Sequence, residues 1–78
     1  MNISASNKSH NATGLSFTED KLVVQLADGR EVAVPLEWFP RLRAASHEKL
    51  SNWRLIGDGE GIHWPDLDED LLVKNLLN

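Results

Sequence analysis

Hydrophobic and polar positions along this chain change period several times, and each change marks an element. From Leu15 and Phe17 onward the apolar residues alternate. Leu22, Val24 and Leu26 fall on one face, Ala27-Asp28-Gly29-Arg30 forms a turn, and Val32 and Val34 return on the same face. Asp-Gly between two alternating runs is a strong hairpin signal, because glycine accepts the positive φ the turn requires. Pro35 has no backbone donor and ends the second arm.

The spacing then shifts to three, with Leu36, Phe39, Leu42 and Ala45 drawing one helical stripe. Pro40 fits in a first helical turn, where its missing N–H costs nothing, so Leu36 to Phe39 reads as a lead-in turn. Ser46 can cap a second short helix running through Trp53, with Glu48 favourable near its start and a break near Ala45-Ser46. Strand character returns at Leu55-Ile56 and at Ile62-His63-Trp64, on either side of the glycine-rich Gly57-Asp58-Gly59-Glu60-Gly61. After Pro65, the acids of Asp66-Leu67-Asp68-Glu69-Asp70 and the i, i+4 pairs Leu72/Leu76 and Val73/Leu77 predict a C-terminal helix, with Lys74 on the side the helix dipole favours.

The predicted fold is a single α+β domain over residues 14–78: a small antiparallel sheet, made of the hairpin plus further short strands, packed against two to three short helices. Residues 1–13, "MNISASNKSHNAT", hold almost nothing to bury and read as a flexible tail.

Composition narrows the chemistry. The 78 residues contain no cysteine, which removes disulfides and thiolate catalysis, and no staple compensates for a small core. A net charge of −4 argues against direct nucleic-acid binding. No apolar run approaches the ~18 residues of a membrane span, and the polar start lacks the apolar core of a secretion signal, so a cytoplasmic location is expected. Three tryptophans in so short a chain suggest that Trp38, Trp53 and Trp64 supply much of the core.

Each candidate site competes with a structural role. Asp66-x-Asp68-x-Asp70 opens like a calcium loop, but that loop needs Gly at its sixth position and Glu at its twelfth, where this chain has Leu71 and Leu77. A capped helix start, with Asp66 or Asp68 accepting backbone N–H groups and Glu69 completing a capping box, explains the acids instead. His63 could act as a base with Asp66 or Glu60, yet neither a nucleophile nor the spacing of further ligands at His10 and His47 supports a catalytic or zinc site. Arg41, Arg43, Lys49 and Arg54 near Trp38 and Trp53 could form a stacking surface, or could simply lie over the core. The glycine-rich turn carries two carboxylates, which would repel phosphate.

A longer pattern remains. Asp28-Gly29-Arg30, Pro35-Leu36, Trp38-Phe39-Pro40-Arg41-Leu42, Asn52-Trp53, Gly57, Gly61-Ile62-His63-Trp64-Pro65 and Leu67-Asp68-Glu69-Asp70-Leu71 together resemble the bacterial family called domain of unknown function 2442, from about Leu15 to Leu77. Asp58, where members usually carry a further glycine, departs from that pattern. The resemblance implies a meander of short strands on short helices. It also implies a small bacterial protein often encoded beside another small protein, as toxin and antitoxin pairs are. It brings no catalytic residues.

The expectation from sequence is a non-enzymatic protein-interaction module, antitoxin-like or regulatory, that binds an adjacent-gene product or itself. It uses no cofactor, no metal and no membrane. Trp38, Phe39, Arg41, Trp53, His63, Trp64, Asp68 and Asp70 are its structural and interaction candidates. The alternative is a small metal-dependent or acid/base enzyme built on the 58–70 acids and His63.

Overall fold

A computed structural model describes residues 10–77. Its strands are β1 (Ala12–Phe17), β2 (Lys21–Leu26), β3 (Glu31–Pro35), β4 (Arg54–Ile56), β5 (Gly61–Trp64) and β6 (Glu69–Leu72). Between β3 and β4 lie a 3-10 turn at Leu36–Trp38 and two short helices, α1 (Pro40–Arg43) and α2 (His47–Ser51), and a second 3-10 turn at Val73–Leu76 follows β6. The strands form two three-stranded antiparallel meanders, β1-β2-β3 and β4-β5-β6, where the sequence suggested one sheet. The α+β class is as expected.

The local rules hold across the first meander and the helices. Leu22, Val24, Leu26 and Val34 are buried in alternation on β2 and β3. The connecting turn closes with Leu26 N–H donating to the Arg30 carbonyl at 2.8 Å and Gly29 at φ 97°. Pro40 occupies the start of α1. Ser46 caps α2, its hydroxyl accepting from the Lys49 N–H, and the helix ends at Ser51, two residues short of the predicted Trp53. Leu36, Leu42 and Leu50 turn this helical layer onto the core.

Strand β1 takes Ala12 and Thr13 out of the segment read as a tail. An irregularity between Ala12 and Gly14 shifts the register, so Ala12 faces Leu26 and joins the core at 2% exposure. Residues 1–9 of the expected tail lie outside the described residues.

The predicted C-terminal helix is corrected. Residues 65–68 form a hairpin turn in which Leu67 N–H donates to the Trp64 carbonyl and Asp68 sits at φ 51°, a conformation Asp tolerates better than most residues. Glu69–Leu72 then pair back on β5, with Trp64 opposite Glu69 and Gly61 opposite Leu72. Burial alternates along this segment, with Leu71 and Val73 inside and Leu72 outside, which is the period of a strand. The capping roles expected of Asp66, Asp68 and Glu69 fall with the helix.

The core is also not built on three tryptophans. Trp64 is fully buried, its indole N–H donating to the Leu50 carbonyl at 3.1 Å and its ring tilted against Phe17 at 6.5 Å between centroids. Trp53 is only half-buried. Trp38, at the end of a 3-10 turn, is 57% exposed.

The glycine-rich turn joins the two meanders. Ala12 N–H donates to the Gly59 carbonyl at 2.7 Å, and Val73 N–H donates to the Glu60 carbonyl at 2.9 Å. A Cβ at Gly59 would lie 2.1 Å from the Ala12 carbonyl oxygen, so only glycine allows this approach.

Candidate functional site

Two surfaces stand out among the described residues. The first is a groove of about 690 Å³ between β1 and the helical layer. Leu15, Phe17, Leu36, Leu50 and Trp53 form its apolar floor, and Glu19, Arg43 and His47 stand among its polar lining. Its wall is strand β1, at the edge of its sheet.

The register shows which way the backbone of that edge points. Thr18 N–H donates to the Lys21 carbonyl, so Thr18 and Lys21 form a hydrogen-bonded pair. Pairs alternate along an antiparallel ladder, which directs the backbone groups of Ser16 toward Val23 and those of Leu15 and Phe17 away from β2. The side chains of Leu15 and Phe17 meanwhile line the groove. The opposite edge differs: the same alternation on β3 points Glu31, Ala33 and Pro35 outward, and Pro35 has no N–H to offer. Neither β1 nor its groove was singled out by sequence reasoning. The only signal was the Leu15/Phe17 alternation, and the partner elements of the groove come from distant positions.

The second surface is the outer face of the β4-β5-β6 meander. Rows across this sheet alternate. Leu55, Ile62 and Leu71 oppose one another, with Ile62 and Leu71 buried in the core. The rows on either side point outward: Arg54·His63·Asp70 and Ile56·Gly61·Leu72. His63 donates a ring N–H to the Asp70 carboxylate across the β5–β6 pair. Arg54 is exposed, and its guanidinium makes no hydrogen bond or ion pair among the described residues. Ile56 and Leu72 are 42% and 48% exposed.

The acids of residues 66–70 are distributed among structural contacts. The Asn52 amide donates to Asp66 at 2.9 Å, Arg41 donates to the Asp68 carbonyl at 3.0 Å, and Arg41 stands 4.0 Å from Glu69. These bonds tie the β5–β6 turn to the helical layer. Among the described residues no group of three or more His, Cys, Asp or Glu could hold a metal ion. At the β2–β3 turn, Arg30 donates to both oxygens of Asp28, and this hydrogen bonding holds the Asp28 carboxyl below its ordinary range.

The sequence candidates therefore separate. Arg41 and Asp68 meet at the hairpin turn, and His63 and Asp70 meet on the outer face. Trp53 lines the groove and Trp64 holds the core. Phe39 packs at the core's margin, and Trp38 stands apart on the surface.

Two antiparallel meanders joined at a glycine turn, with a short helical layer between them in sequence, define a small α+β domain. The chain belongs to the family described as protein of unknown function DUF2442, which it matches over residues 12–78. It is similar to the crystal structure of a protein of unknown function from Rhodospirillum rubrum, at 29% identity and a TM-score of 0.73, over 86% of this chain and 83% of that one. No curated protein matches it. Among the described residues no helix is long and apolar enough to cross a membrane.

Proposed function

We propose that this chain is a protein-binding module that captures an extended segment of another protein along β1. The observation that carries this reading is the coincidence of a strand edge with an apolar groove. Leu15 and Phe17 point their backbone groups outward while their side chains floor the adjoining groove of about 690 Å³. An incoming strand gains main-chain hydrogen bonds from such an edge and specificity from alternate side chains placed in the groove. The hydrophobic floor and the polar side chains of Glu19, Arg43 and His47 suit a segment that alternates apolar and polar residues.

In this reading the protein is the regulatory or antitoxin-like member of a bacterial two-gene unit, its partner is the adjacent gene's product, and both work in the cytoplasm. The test is co-expression with each neighbouring product, size-exclusion chromatography, and amide hydrogen exchange on any complex. Exchange at Leu15 and Phe17 should slow at least tenfold on complex formation. A complex that leaves both amides as fast as in the free protein would refute strand addition at β1. Absence of a complex with every neighbour would refute the two-gene reading.

A further inference from the structure

We infer that the outer face of the β4-β5-β6 meander is a self-association surface, which pairs with a second copy of this chain about a twofold axis running along β5. This surface lies on a different sheet from the β1 edge and does not depend on the binding reading given above.

Two outward rows carry this pairing. One row runs Arg54·His63·Asp70 and the other runs Ile56·Gly61·Leu72. A twofold along β5 keeps each row at its own height and exchanges β4 with β6. Arg54 then faces Asp70 of the partner subunit, and Asp70 faces Arg54 of the partner subunit. Ile56 likewise faces Leu72 of the partner subunit. Gly61 lies on the axis opposite its own symmetry mate, buried beside the Ile56 side chain, so Ile56 and Leu72 supply the apolar surface of this row. The outer members of each row thus meet their chemical complements, charge on opposite charge and apolar on apolar, while His63, like Gly61, faces its own symmetry mate at the axis.

The in-plane alternative, a twofold across the strands, would set Arg54 against the partner's Ile56, a charge on an apolar group. Face-to-face sheets pack about 10 Å apart, which the long side chains of Arg54, Ile56 and Leu72 can span from both sides. Arg54 has no ion pair of its own among the described residues, whereas Asp70 is held in place by His63. The face is three strands wide and two rows deep, smaller than the ~800 Å² per partner of a standard interface. The association is therefore weak.

The experiment is sedimentation equilibrium between about 10 µM and 1 mM, on the parent, on Arg54→Glu and on Asp70→Lys, alone and mixed one to one. Each single variant places two like-charge pairs across the axis, which should weaken association about tenfold. In a heterodimer of the two variants, the carboxylate introduced at position 54 of one subunit meets the ammonium introduced at position 70 of the other. The unaltered Asp70 and Arg54 meet on the opposite side of the axis. The equimolar mixture should therefore recover parental association. Both positions are exposed, and circular dichroism of each variant confirms the fold. A parent that stays monomeric at 1 mM overturns the inference. So does association that neither single variant weakens, or a mixture that shows no recovery.

Discussion

Trp64 should be the one tryptophan whose loss the fold cannot absorb, and two substitutions there separate its packing from its hydrogen bond. Trp64 has 0% exposure and sits between Phe17 of the first meander and the Leu50 carbonyl of α2. Burying an indole removes roughly 150–250 Å² from water, about 4–6 kcal/mol at ~25 cal/mol per Å². Measured truncations of buried Trp to Ala cost about 3–5 kcal/mol. A 78-residue chain has roughly 4–12 kcal/mol of total stability at 0.05–0.15 kcal/mol per residue.

Trp64→Ala should therefore leave the protein largely unfolded, or lower its melting temperature by at least ~12 °C at 4–8 °C per kcal/mol. Trp64→Phe keeps an aromatic ring against Phe17 but leaves the buried Leu50 carbonyl without its donor, which costs about 1–3 kcal/mol beyond the lost volume. Trp38→Ala is the control, since Trp38 is 57% exposed and its loss should cost no more than ~1 kcal/mol. Urea and thermal unfolding followed by far-ultraviolet circular dichroism order the three variants. Trp64→Phe costing less than Trp38→Ala would refute the placement of Trp64 as the link between the layers.

Gly59→Ala should destabilise by more than the ~1–3 kcal/mol of a positive-φ strain alone, because its Cβ would lie 2.1 Å from the Ala12 carbonyl oxygen at φ 99°; urea unfolding measures it, and a loss under ~1 kcal/mol would show that the meanders are not locked there. Asp28 has a folded-state pKa lowered, first by its hydrogen bond from Arg30, below the value of 3.8, so its contribution is present above that value and is lost as pH falls through the lower folded value. Asp28→Asn should flatten that acid limb of the stability curve in urea titrations below about pH 4, and an unchanged slope there would contradict the Arg30 pairing.

What the sequence disclosed was local, and what it hid was not. The β2–β3 hairpin, Pro40 at a helix start and Ser46 as a cap follow from residues within a few positions of one another. The stretch after Pro65 failed for the converse reason. Leu72, Val73, Leu76 and Leu77 carry a helical spacing and the acids resemble an N-terminal cap, but pairing of residues 69–72 with β5 decides the segment. Propensity lost to a ladder that also buries Leu71. The turn chemistry of Pro65-Asp66-Leu67-Asp68 was the available signal, since Asp at a positive φ marks a hairpin more readily than a helix start. The role of Gly59 was invisible because it depends on Ala12, a residue the polar composition around it had assigned to a tail.

The candidate surfaces divide along the same line. His63 and Asp70 were both singled out as residues, yet their bond and their alignment with Arg54 exist only because three strands bring residues 54, 63 and 70 into one row. The groove draws on β1, the Leu36 turn and α2 at once. A domain of two three-stranded sheets cannot cover its own edges, and this one treats them unequally. β3 is blunted by Pro35, and β1 is pinned at Ala12 by Gly59 but keeps Leu15 and Phe17 directed outward over an apolar floor. Solubility alone would favour blunting both edges alike. The strand addition proposed at β1 uses a different sheet from the charged row, so Arg54→Glu should leave any complex formed at Leu15 and Phe17 intact, and its loss in that variant would refute the separation of the two surfaces.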